Sequence, residues 1–222
     1  MVRVAIPGSV AHAPHGSLRV NRPAVDAGNI VGNVYDKYGT RNPIARALMR
    51  GFTGAVTDLY LRTGARSVLE VGCGEGRLAH HLIRAARPDR FEACDVALRP
   101  APDLDPQIAL REASIYALPH APASFDLVIC CEVLEHLADP AAGLAELARV
   151  SARHVLLSTP WEPVWRVLNL ARGHYVRELG NTPGHVQHFS RRAIRELAAR
   201  YLQVLELRRP LPWTVILGAV PR

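Results

Sequence analysis

Apolar positions along the chain follow two periods. Between Pro43 and Gly64 they recur every three or four residues, at Ile44, Ala47, Leu48, Phe52, Val56, Leu59 and Tyr60. That spacing predicts one amphipathic helix, with Asn42 as its cap and Gly64 as its stop. Beyond it come short apolar runs at 67–71 (SVLEV), 91–96 (FEACDV), 107–112 (QIALRE), 125–130 (FDLVIC) and 154–159 (HVLLST). The first reads as a short buried strand, and the others as further strands, with QIALRE a possible third in the series. Helix-period segments lie between them, at 76–87 and from the end of the fourth run through Val150. Such alternation predicts a parallel sheet covered on both sides. The end of the chain departs from this rule. A helix at 191–200 is followed by apolar runs at 202–208 and 213–219, separated only by a Pro-containing turn. So short a link cannot make a parallel crossover, so the last two strands must pair antiparallel.

The same pass divides the chain. Residues 1–32 carry Pro7, Gly8, Pro14, Gly16, Pro23 and Gly28 without periodicity and read as an irregular arm. Residues 33–64 form a lid and helix region, and 65–222 the main domain. Within it, 160–189 is rich in Trp, Pro, Gly and His and exceeds an ordinary connection, as functional insertions do.

Composition narrows the class. With 222 residues, 49% hydrophobic and 21% charged, the chain can bury a full core, which excludes a disordered or disulfide-stapled chain. No apolar run approaches the roughly 20 residues of a membrane span, and the first residues lack the apolar segment of a secretion signal. The expectation is a soluble cytoplasmic protein. Cys73, Cys94, Cys130 and Cys131 show no paired CxxC spacing, so they read as small hydrophobes rather than metal ligands. The net charge of +7 rests on arginines dispersed along the chain, with Lys37 the lone lysine. That dispersal argues against a nucleic-acid footprint.

Chemistry concentrates at 68–76, VLEVGCGEG. A strand running into alternating glycines and then a helix lets backbone approach a ligand at the carboxyl edge of a parallel sheet. Glu70 precedes the loop, and Asp95 ends the second strand, where a carboxylate can accept from both hydroxyls of a ribose. This is a nucleotide-cofactor site. The dinucleotide fingerprint GxGxxG is not met, because Gly76 follows Glu75 directly and Arg77 comes next.

On these residues the chain resembles the class I S-adenosylmethionine-dependent methyltransferases, in particular the group that includes ubiquinone/menaquinone C-methyltransferases and many small-molecule enzymes. The match lies in VLEVGCGEG, Asp95, ASIYALPHAPASFDLVICCEVLEHL at 113–137 and LLSTP at 156–160. The resemblance implies an α/β, Rossmann-like seven-stranded sheet, mostly parallel with an antiparallel last strand and helices on both faces. It implies S-adenosyl-L-methionine as cofactor and S-adenosyl-L-homocysteine as product. Gly72, Cys73, Gly74 and Gly76 would pack on the methionine part, with Glu70 supporting the loop. Asp95 and Val96 would face the ribose, and Ser114 with Ile115 the adenine, although relatives usually carry Asp where Ser114 stands. Cys131 and Glu132 would line the cofactor, and Tyr35 and Tyr38 would cover it. Cys130-Cys131-Glu132-Val133 stands where amine-directed nucleic-acid enzymes carry NPPY or DPPY, so exocyclic base amines are not the expected target.

Transfer from a sulfonium needs alignment, plus a base only if the nucleophile starts protonated. Acceptor residues are therefore expected outside the cofactor motifs. Trp161 and Trp165 read as the wall of an apolar pocket, with core packing the equal alternative; Tyr175 stands in the same insertion. Arg41, Arg166 and Arg172 would neutralise an anionic acceptor. His185 and His188 are candidate bases, and Ser190 behind Phe189 reads as a helix cap. No metal is expected. The reading is in-line methyl transfer to an O, N or C nucleophile of a small-molecule acceptor. The alternatives are an RNA or protein methyltransferase, or a non-catalytic homologue acting as a partner subunit. No nucleic-acid partner and no membrane span are expected, and a homodimer stays open.

Overall fold

The computed structural model describes residues 42–162, 164–165 and 186–221. The order of elements is α1 (Pro43–Thr63), β1 (Ser67–Val71), α2 (Arg77–Ala85), β2 (Arg90–Asp95), β3 (Ile108–Glu112), β4 (Phe125–Cys131), α3 (Pro140–Val150), β5 (Ser151–Pro160), α4 (Arg191–Ala198), β6 (Gln203–Arg208) and β7 (Trp213–Ala219). One 3-10 turn, Leu134–His136, follows β4.

Local chemistry sets the helix ends. The Asn42 side chain accepts from the backbone N–H groups of Ile44 (2.9 Å) and Ala45 (3.2 Å), and Gly64 closes α1 in a left-handed conformation. Asp139 caps α3 through Ala142 N–H, with Pro140 at the first helical position, and Ser190 caps α4 through Ala193 N–H at 3.1 Å. The expected helix at 76–87 stops at Ala85, because Pro88 would clash with the carbonyl of Arg84 if the helix ran on.

The seven strands lie in the order β3-β2-β1-β4-β5-β7-β6. All neighbours are parallel except β7, which runs antiparallel to both β5 and β6. The doubly wound α/β sheet with a reversed last strand is therefore as expected. Successive strand residues face opposite sides. Val68, Phe91, Leu127 and Leu156 meet α1 and α2 through Val56, Leu59, Leu78 and Leu82. Leu69, Cys94, Val128 and Val155 meet α3 and α4 through Leu144, Leu147 and Ile194. Burial on both faces is what made these strands read as continuous apolar runs. α1 shares the core of the sheet through Phe52 and Trp213.

Several strand ends differ from expectation by a residue or more, and two of them have a visible cause. β2 stops at Asp95 rather than Val96, because Asp95 Oδ1 accepts from Ala97 N–H (3.2 Å) and turns the chain, leaving Val96 40% exposed. β5 begins at Ser151 rather than at His154, since Ser151 already pairs with Phe125. Among the described residues no helix is long and apolar enough to cross a membrane. The irregular arm at 1–32 and most of the insertion fall outside the described residues.

Candidate active site

Strand order reverses between β1 and β4, so the loops leaving them part and open a crevice at their carboxyl ends. The glycine loop forms one wall. Gly72 and Cys73 both donate to the Cys94 carbonyl, at 2.8 and 3.0 Å, which ties the loop to β2. Gly72 has φ +80°, and a Cβ there would sit 2.2 Å from Val133 Cγ2. Gly74 has φ +53°, and a Cβ there would meet nothing within 4 Å. The first glycine is required by close packing against the β4 loop, whereas the second faces open space.

Glu70 is 3% exposed. α2 opens on Gly76, which has no side chain to cap it, and the Glu70 carboxylate instead accepts from the backbone N–H of Ala79 in the first turn. Burial pushes the Glu70 carboxyl up to about 8; the Ala79 bond opposes this and the nearby Asp95 charge adds to it. Its Oε2 is buried without a hydrogen-bond partner. Asp95 Oδ2 accepts from Gly74 N–H at 2.8 Å, so the carboxylate at the end of β2 lies directly against the middle of the glycine loop.

The other wall is built on Glu132, whose φ of +61° is rare for a residue with a side chain. Its N–H donates to the Ser158 carbonyl (3.1 Å), Oε1 accepts from the Ser158 hydroxyl (3.2 Å) and Oε2 from Trp213 Nε1 (2.8 Å). The carboxylate thus braces β4, β5 and β7, and Val133 of the same loop packs over Gly72. Cys131 is half-buried beside it, and burial pushes its thiol well up. Burial does the same for Cys73 and Cys130 and takes Cys94 to about 12, so all four free thiols stay protonated and inert.

At the end of β3, Ser114 Oγ accepts from Tyr116 N–H (3.3 Å), and Ile115 is buried in the core against α3. Beyond β5, Trp161 N–H donates to the Pro212 carbonyl (2.8 Å), and its ring lies 3.7 Å beneath the Arg191 guanidinium. Trp165 leans on Trp213 at 5.7 Å between ring centroids, and Trp213 on Phe52 at 4.9 Å. Residues 186–190 run along the turn after β4: Val186 and Gln187 N–H both donate to the Glu135 carbonyl at 2.9 Å, Phe189 is buried, and His188 is exposed. Tyr35, Tyr38, Arg41, Arg166, Arg172, Tyr175 and His185 lie outside the described residues. Among the described residues, no three His, Cys, Asp or Glu side chains gather as a metal-ligand set.

The structure also brings to this edge residues that the motifs did not flag. Trp213 and Phe52 are core aromatics by pattern, and Arg191 is one arginine among many; the antiparallel return of β7, the packing of α1 on Trp213 and the entry of α4 place them here.

Comparison with known proteins agrees with this architecture. The family model described as a methyltransferase domain matches residues 41–204. The ubiquinone biosynthesis O-methyltransferase of Paracidovorax citrulli (strain AAC00-1) is 41% identical over 92 residues, covering 38% of this chain and 39% of that protein. A protein of Mycobacterium tuberculosis (strain ATCC 25618 / H37Rv), named as a probable S-adenosylmethionine-dependent methyltransferase, is 35% identical over 102 residues, covering 45% of this chain and 37% of that one. The chain therefore spans under half the length of these relatives. Among solved structures, magnesium protoporphyrin IX methyltransferase from Synechocystis PCC 6803 with bound SAH shares the fold at TM-score 0.59 and 17% identity, covering 82% of this chain and 90% of that one. With its family model covering well over half the chain, the protein belongs to the class I S-adenosylmethionine-dependent methyltransferases.

Proposed function

We propose that the chain binds S-adenosyl-L-methionine across the glycine loop and directs its methyl group in line onto an O, N or C nucleophile of a small-molecule acceptor. The observation that carries this reading is the open space at Gly74, flanked by the Asp95 carboxylate and backed by the buried, unpartnered Oε2 of Glu70. The Asp95 carboxylate suits ribose hydroxyls, and a cationic ligand end beside the buried Glu70 would favour that group's ionised form.

The cofactor supplies a methyl group already activated on a sulfonium sulfur. The chain's own residues have simpler tasks. Gly72, Cys73, Gly74 and Gly76 offer backbone for the methionine portion, Asp95 exchanges its Gly74 bond for the ribose hydroxyls, and Val96 borders them. Ser114 would face the adenine with a hydroxyl able to accept or donate one hydrogen bond, and Ile115, its side chain packed in the core against α3, would border it through its backbone. Cys131 and Glu132 contribute the opposite wall, Glu132 through its backbone. Tyr35 and Tyr38, outside the described residues, would cover the site. Trp161 and Trp165, with Arg41, Arg166, Arg172 and Tyr175, shape the acceptor side, where His185 or His188 would take a proton from the nucleophile. The similarity to a ubiquinone biosynthesis O-methyltransferase supports an oxygen nucleophile among the three choices.

The test is calorimetric titration with S-adenosylmethionine and S-adenosylhomocysteine, with NAD as control. Binding of the sulfur ligands alone supports the reading, and a folded protein that binds neither overturns it. On the acceptor side, His185→Ala and His188→Ala are expected to separate the base from a bystander: loss of turnover with cofactor affinity kept marks the base.

A further inference from the structure

The carboxyl edge of the sheet carries two arginine doublets, and the two members of each are used differently. Arg192 pairs with Glu196 (2.7 Å), and Arg208 pairs with Glu206 (2.7 Å) and Asp58 (2.6 Å). Their neighbours Arg191 and Arg209 have no acidic partner among the described residues. They are also close enough for the charge of Arg209 to disfavour that of Arg191, on top of the cost of burying it. Arg191 is half-buried, its Nε–H is sealed from solvent without an acceptor, and its guanidinium lies 3.7 Å over the Trp161 ring. Trp161 is itself tied to the turn between β6 and β7 through the Pro212 carbonyl, so ring and guanidinium share one anchored frame.

Two like charges within each other's field, one of them partly desolvated, cost stability that an anion between them would recover. Stacking occupies the flat face of a guanidinium and leaves its planar fork of N–H donors for a carboxylate or phosphate. We infer that Arg191 and Arg209, with Trp161 as the platform, form an oxyanion subsite that selects an acceptor bearing a carboxylate or phosphate group. This rests on the methyltransferase reading and names the substrate class for it. The position fits that role, since Trp161 leaves the end of β5, Arg191 opens α4 and Arg209 follows β6, all at the edge where the cofactor crevice opens.

The experiment uses the full chain with saturating S-adenosylhomocysteine and follows the three tryptophan indole N–H signals by NMR, the Trp161 signal being identified with Trp161→Phe. Benzoate and phenyl phosphate are the probes, and benzamide is the uncharged control. The Trp161 signal is expected to move on adding an oxyanion probe and not benzamide; which of the two oxyanions binds more tightly distinguishes a carboxylate from a phosphate acceptor. Arg191→Gln and Arg209→Gln should each weaken binding about tenfold or more, as for loss of a charge-assisted hydrogen bond. Arg191→Lys should recover only part, because it keeps the charge without the fork. Homocysteine-cofactor affinity should be unchanged in all three. Should Arg191→Gln fail to fold, Arg209→Gln, on an exposed side chain, carries the test. Equal binding of benzamide, no response to either oxyanion, or unchanged affinity in the Gln variants overturns the subsite. Loss of S-adenosylhomocysteine binding by the wild type is a separate outcome that overturns the methyltransferase reading instead.

Discussion

Glu132 Oε2 accepts a 2.8 Å hydrogen bond from Trp213 Nε1. The bond joins the residue that leaves β4 in a left-handed conformation to the first residue of the one reversed strand. Because Oε1 of the same carboxylate accepts from Ser158, one side chain holds the ends of β4, β5 and β7 at fixed spacing. Val133, next in sequence, packs on Gly72. The position of the glycine loop therefore depends on a carboxylate that points away from it.

Removing that carboxylate should cost stability first. Glu132→Ala leaves the buried indole N–H without its acceptor and is expected to destabilise by about 2 kcal/mol. Glu132→Gln can still accept from Trp213 and donate to the Ser158 oxygen, so its loss should stay under about 1 kcal/mol. Urea unfolding of both variants decides this. Equal losses would show that the two hydrogen bonds do not hold the strand ends.

Glu70 makes a pH prediction with a definite sign. Its carboxyl is pushed up to about 8 in the fold from an ordinary 4.5, chiefly by burial. Below the ordinary value both folded and unfolded chains are protonated, and the group contributes no slope. As pH rises past it, the unfolded chain ionises while the folded one holds its proton, so stability falls until about 8 and then levels. Glu70→Gln removes this slope. Its stability relative to wild type should therefore rise between about pH 5 and 8, by on the order of a few kcal/mol. Thermal melts of both proteins without ligand across that range check it; parallel curves would mean that Glu70 is ionised throughout.

The sheet was legible because its inner strands β1, β4, β5 and β7 are buried on both faces, although the edge strands β3 and β6 are more exposed, and because its helix ends carry their own caps, as Asn42, Gly64, Asp139 and Ser190 show. Local chemistry then suffices. The glycine loop and Asp95 were legible for the same reason, since a tight turn needs its own glycines. Trp213, Phe52 and Arg191 were not, because their neighbours come from strands and helices distant in sequence. The role of Glu132 was hidden too: its position after β4 suggested the cofactor wall, yet its carboxylate is held by Ser158, which the β4–β5 pairing sets beside it, and by Trp213, which the β5–β7 pairing brings near. Val96 was misread as strand because an apolar residue continues a pattern, while the turn that ends it is made by the Asp95 side chain.

The loop itself offers the sharpest separation of stability from binding. A Cβ at Gly74 enters open space, so Gly74→Ala pays only for its positive φ, about 1 to 2 kcal/mol of stability. The same methyl would stand where a ligand must approach the backbone, so S-adenosylhomocysteine affinity should fall tenfold or more, by roughly 1.4 kcal/mol of binding for each factor of ten. Asp95→Ala removes the carboxylate that Gly74 N–H now donates to and that the ribose hydroxyls would need, and should lose affinity to a similar degree. Gly72→Ala is the contrasting control. Its Cβ would drive into Val133 Cγ2 at 2.2 Å, so the fold should suffer more than the 1 to 2 kcal/mol of positive φ. Calorimetry alongside thermal melts reads both effects. Full cofactor affinity in both Gly74→Ala and Asp95→Ala would remove the cofactor from this loop, whatever the melting temperatures show.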